Sequence, residues 1–141
     1  MGERAEAEAA EFKQAVAELV SLCEGMTREE WHTACPGEGW TFGAVAHHVA
    51  EGNRLRMERL SQPAGGISPE ELAAINARSA AALPKPDQEE TLIVLREMAD
   101  EALAEIHGHD DERLAHRLNR HTRGHLESIA AGLAAIRAGR G

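Results

Sequence analysis

The chain has 141 residues, a length that suits one domain, and its 24 acidic against 15 basic side chains give a formal net charge of −9. That balance argues against nucleic acid or an anionic membrane as partner, because both demand clustered Lys and Arg. Hydrophobic residues reach 43% but aromatics only 3%, with no Tyr, and an Ala- and Glu-rich chain of this kind favours helix over sheet.

The first predicted helix runs from about Glu3 to Glu24, with Phe12, Val16, Leu19, Val20 and Cys23 at steps of three and four. Gly25 ends it. Thr27-Arg28-Glu29-Glu30 has capping-box spacing and predicts one short turn carrying Trp31. A loop from Thr33 to Gly39 follows, and Thr41 caps a second helix that reaches about Leu60. Pro63, Gly65 and Gly66 break the chain. Ser68 and Pro69 then open a short helix with Leu72, Ile75 and Asn76, ending before Pro84 and Pro86.

A third long helix starts near Asp87 and carries Leu92, Leu95, Met98, Ala99, Ala102 and Ile106, with Gly108 as its stop. Asp110 is the expected cap of a fourth, which continues to about Ala138. The expected fold class is all-α, a four-helix bundle in one domain, with a long crossover carrying the short extra helix. No stretch has the length of a membrane span, and the start lacks the apolar run of a secretory signal and the Ser or Thr of a myristoylation signal, Glu6 standing there instead. The expected setting is cytoplasmic, with Cys23 and Cys35 as free thiols, Cys23 in the core and Cys35 in an exposed loop.

The chemistry concentrates on histidine. On the fourth helix the stripe reads Leu114, Leu118, His121, His125, Ile129, Gly132 and Ile136. A spacing of four puts both rings on one face about one turn apart, as a shared metal ion requires. On the second helix Val45, His48, Gly52 and Leu55 form the inward stripe, while His47 falls with Gly43, Glu51 and Arg54 on the polar side. Buried imidazoles are costly unless their ring nitrogens are satisfied, and a metal satisfies one on each ring. His48, His121 and His125 are therefore the candidate ligands of one divalent ion, zinc or nickel suiting an all-imidazole set best. An HxxxH alone, or His48 alone, reads more plainly as satisfied or ordinary histidines, whereas the three together on inward stripes favour a metal.

The remaining residues carry weaker signals. His107-Gly108-His109 suits a helix C-terminus, and His32 and His116 have no evident partner. Arg117, Arg120 and Arg123 alternate with apolar residues, which reads as a solvated face. Trp40 reads as an apolar anchor ahead of the second helix, and Glu51, Asn53 and Glu127 are the nearest polar candidates for supporting the ligands or moving a proton, each read more plainly as a solvated helix residue.

The stretch GWTFGAVAHHVAE, Gly39 to Glu51, resembles the opening of the second helix in the DinB/YfiT-like superfamily, where a histidine eight residues after the Trp is a metal ligand; here that is His48. HTRGHLESI, His121 to Ile129, resembles the HxxxH of that superfamily's last helix, and Ile75-Asn76-Ala77-Arg78 is similar to its middle region. The resemblance implies an up-down-down-up bundle with a histidine triad, commonly a homodimer, and with relatives that use bacillithiol or mycothiol in S-transfer or isomerisation. This chain is short, carries His47 just before the expected ligand, and has no recognisable thiol-cofactor signature.

These features point to a small-molecule partner or a low-molecular-weight thiol rather than nucleic acid or membrane. The expected function is a metal-binding protein, with metal-dependent thiol transfer to a small electrophile as one activity. A metal-dependent hydrolase, a non-catalytic metal-binding stress-response module, and a purely structural domain with histidines in its core are the alternatives.

Overall fold

The computed structural model describes residues 2–60, 68–82 and 86–140, with the backbone alone at Leu60, Asn76 and residues 78–82. The described elements are α1 (Glu3–Glu24), α2 (Arg28–Trp31), α3 (Phe42–Leu60), α4 (Pro69–Ala82), α5 (Gln88–His109) and α6 (Glu112–Gly139), so the all-α expectation holds. The expected break at Pro63, Gly65, Gly66 and Pro84 lies outside the described residues.

The helix ends follow local chemistry. Thr27 Oγ1 accepts from the Glu30 amide while Glu30 accepts from the Thr27 amide, the reciprocal capping box. Thr41 caps α3 through the Ala44 amide, Ser68 caps α4 through the Glu71 amide, and Asp87 caps α5 through the Glu90 amide. Two expectations need correction at the α5–α6 corner. Gly108 does not stop α5, which continues to His109; a helical Gly costs only about 1 kcal/mol, less than a well-packed helix recovers. Asp110 instead leaves the helix in the left-handed region at φ 49°, and its carboxylate accepts the Gly2 amide at 2.8 Å. The N-cap of α6 is Asp111, which takes the Leu114 amide at 2.9 Å.

The four long helices close a ring in which α1 and α3 each pack against both α5 and α6. α1 and α6 run in the same direction: Glu8 meets His116 and Asn119 near their starts, and Arg137 donates to Gly25 O near their ends. α3 runs against α6, Asn53 meeting Thr122 while Phe42 approaches Gly132. α5 begins where α1 ends, for Gln88 donates to the carbonyls of Cys23 and Met26. Phe12, Leu19, Leu95, Leu118 and Ile129 fill the interior, each such burial contributing roughly 1.5–3 kcal/mol.

One small residue admits a close neighbour. A Cβ on Gly43 would stand 2.5 Å from the Trp31 indole, which lies against α3 and donates Nε1–H to Pro86 O at 2.7 Å. α2 is tied to the end of α6 as well. Glu30, 2% exposed, accepts from Arg137 and Arg140, both at 2.9 Å. The hydrogen bonds to Arg137, then the Thr27 amide, hold its carboxyl down at about 2.

Candidate metal centre

His48 comes from the middle of α3, His121 and His125 from the middle of α6, at the seam where those antiparallel helices meet. His48 is buried at 6% exposure; the other two are half-buried. The α6 histidines thus flank the core instead of filling it. The buried positions beside them are Leu118, Asn119, Thr122 and Leu126.

The three rings stand mutually near perpendicular, with centroids 5.2, 4.9 and 4.9 Å apart. One nitrogen from each lies within 4.8 Å of the others. His48 Nε2 and His121 Nε2 are 3.3 Å apart. Two nitrogens each roughly 2.0–2.1 Å from a tetrahedral ion stand about 3.3–3.4 Å apart, so this pair already has the spacing of a coordination edge.

The outward nitrogens are held. Asn53 is fully buried and donates Nδ2–H to Thr122 Oγ1 at 2.9 Å, which presents its Oδ1 to His121 Nδ1, also at 2.9 Å. That arrangement puts the His121 proton on Nδ1 and leaves the Nε2 lone pair facing His48. Glu38 Oε1 accepts from His125 Nδ1 at 3.2 Å and fixes the same tautomer there. Burial, then neighbouring His125, Arg56 and His47, depress His48 to about 4. Burial, then Arg56, His125 and His48, depress His121 to about 2. Both rings are neutral at neutral pH, the form a metal needs. Convergent nitrogens on three rings, with the outer nitrogens of His121 and His125 held, fit a divalent ion.

A cavity of about 280 Å³ opens over the triad, lined also by Glu38, Trp40, Arg56 and Leu72. Trp40 meets His48 edge-on with centroids 5.0 Å apart, so it is a wall of the site besides being an anchor. Glu38 reaches the site from a tight loop. Ala34 and Thr41 form an isolated bridge, Cys35 N–H donates to Trp40 O at 2.7 Å, and Gly37 and Gly39 take φ of 86° and 81° on either side of Glu38.

Other expectations fall out differently. His47 stays outside the cluster and pairs with Glu51 at 2.8 Å. Asn53 is not solvated; its partners lie on α6 and α5, which hydropathy along α3 cannot reveal. Glu127 is exposed, on a different face from the cavity. His116 has a partner after all, Glu8 at 2.9 Å. Cys35 is 1% exposed and its thiol is pushed up to about 11 by burial, then by Glu38. Cys23 is fully buried, pushed up to about 12 by burial, then by Glu24, and is absent from the cluster. Sequence reasoning missed Glu38 and Arg56. The Gly-Glu-Gly frame just ahead of α3 was the available signal for Glu38; none marked Arg56.

A helical bundle with three imidazoles converging under a cavity defines a class: all-α proteins with a His₃ candidate metal centre between two helices. The sequence matches the DinB superfamily over residues 11–136, and the chain belongs to that superfamily. Neither the curated proteins nor the solved structures contain a significant match to it. Among the described residues no helix is long and apolar enough to cross a membrane.

Proposed function

We propose that the protein holds one divalent ion, zinc or nickel, on His48, His121 and His125, and uses it to transfer a low-molecular-weight thiol to a small electrophile. The observation that carries this reading is the convergence of three imidazole nitrogens beneath a cavity. Three protein ligands leave coordination positions open, the mark of catalytic rather than structural sites. When bound, the ion supplies a Lewis acid that favours the thiolate form of a ligand thiol. Asn53 and Glu38 orient two of the rings. Trp40 and Leu72 offer apolar walls that keep water from the nucleophile.

Hydrolysis is the second reading, and the lining of the cavity weighs against it. A hydrolase needs a general base beside the nucleophilic water. Among the described lining residues the only carboxylate is Glu38, and it is engaged by His125. A thiol needs no such base, because its proton can leave to solvent as the thiolate forms.

Titration of bacillithiol, mycothiol or a simpler thiol into the cobalt-substituted protein tests this. A sulfur-to-metal charge-transfer band is expected. No band with any thiol, from protein that holds cobalt on the triad, would reject thiol transfer and favour hydrolysis or metal binding alone.

A further inference from the structure

The candidate metal centre has a cationic neighbour. Arg56, one turn beyond Gly52 on α3, is half-buried and lines the cavity over the triad. A second cavity, of about 460 Å³, shares Arg56 and His121 with the first and is otherwise lined by His116, Arg117 and Arg120 of α6. The two cavities are therefore neighbours, with Arg56 and His121 in the lining of both.

In an acidic chain this lining is unusual. Arg54, Arg59, Arg96, Arg137 and Arg140 each pair with a carboxylate. Among the described residues no carboxylate lies within ion-pair distance of Arg56, Arg117 or Arg120. His116 is already taken by Glu8. The Arg56 guanidinium donates to Gly52 O, a carbonyl of its own helix, at 2.9 Å. It is also close to the triad: an atom at the Cβ position of Gly52 would stand 3.0 Å from His121 Nε2 and 3.2 Å from Arg56 Nη1.

Rested on the reading of the triad as a metal centre, this arrangement has a charge problem with one simple solution. A dication on the three imidazoles and a half-buried guanidinium beside it repel each other, and Arg117 adds to the excess; Glu38, the one carboxylate among the described residues lining the cavity over the triad, is engaged by His125 and not by Arg56. An anion spanning the two relieves both. The planar fork of Arg matches carboxylate and phosphate oxygens better than Lys does, and all three side chains here are Arg.

We propose that the small molecule acted on here carries a compact oxyanion, a carboxylate or a phosphate, seated by Arg56 with Arg117 and Arg120. Its reactive end extends into the cavity over His48, His121 and His125. The two neighbouring cavities suit an elongated ligand with its charge at one end.

Calorimetric titration of inorganic phosphate and of acetate into the metal-free protein at low ionic strength tests the subsite without a competing ion. Saturable binding of one or both is expected, and the stronger of the two names the oxyanion. Arg56→Gln should weaken it at least tenfold, and Arg117→Gln with Arg120→Gln several-fold. The second variant lies on exposed positions and keeps the test valid if Arg56→Gln fails to fold. Absence of binding to the wild type, or equal affinity in wild type and the folded variants, would overturn the proposal. Zinc content, measured in parallel, should not fall in the Arg variants. A wild type that binds the oxyanion through these arginines but no zinc would reject the metal centre while leaving the subsite standing.

Discussion

Asn53 Oδ1 lies 2.9 Å from His121 Nδ1, and the Asn53 amide in turn donates to Thr122 Oγ1. A fully buried amide on α3 thereby sets the tautomer and orientation of a ring on α6. Residues that hold the far nitrogen of a ligand histidine typically change metal affinity 10–100-fold when removed. Asn53→Ala is expected to weaken zinc binding by that factor. It should also cost about 1–3 kcal/mol, because Thr122 and His121 lose a buried partner. Asn53→Asp keeps an acceptor at Nδ1 and should retain zinc. Competition with a zinc indicator, alongside thermal melts, checks both; wild-type affinity in Asn53→Ala would contradict this role.

Gly52 leaves room for His121. A Cβ there would stand 2.5 Å from the ring's Cε1 atom, closer than real contacts allow. Gly52→Ala should displace the ring and lower zinc affinity at least tenfold, despite the better helix propensity of Ala. Gly124, between the two α6 histidines, meets nothing within 4 Å at its Cβ position. Gly124→Ala should instead raise stability by about 0.5–1 kcal/mol and leave zinc binding alone. The pair separates crowding of the site from a general effect of adding a methyl group to a helix. Equal zinc affinity in the two variants would mean that His121 adjusts freely.

Much of this architecture is written in short-range signals. The span Glu3–Glu24, the Thr27–Glu30 capping box and the caps at Thr41 and Ser68 each depend on residues within one turn, so the sequence displays them. The α5–α6 corner does not, because Asp110 and Asp111 are equivalent as letters and only the contact of Asp110 with Gly2 distinguishes them. The spacing of His48, His121 and His125 told which rings could meet. It misplaced the buried seam of α6, where Asn119 and Thr122 look like surface residues. They are buried because Glu8, Glu11 and Asn53 supply hydrogen bonds from other helices. Glu38 and Arg56 reach the site only through tertiary structure.

Acid should loosen the α2–α6 anchor. Glu30 is held at about 2 against an ordinary 4.5, chiefly by Arg137. A carboxyl whose folded pKa is depressed stabilises fully above its unfolded value and loses that contribution as pH falls through the folded value. The contribution of Glu30 is therefore complete above about pH 4.5 and disappears by about pH 2. Glu30→Gln should melt below the wild type at pH 7, and the two melting curves should converge as pH approaches 2. A gap that persists unchanged to pH 2 would assign the loss to packing instead of charge.

The central claim is that His48, His121 and His125 together hold one ion. Elemental analysis of the purified, zinc-reconstituted protein measures it most directly, with circular dichroism to show that each variant is folded. The account predicts about one zinc per chain in the wild type and in His47→Ala, whose ring is paired with Glu51 outside the cluster. His48→Ala, His121→Ala and His125→Ala should each lose most of that zinc. Full occupancy in all three, or a loss in His47→Ala equal to that in His48→Ala, would contradict the account.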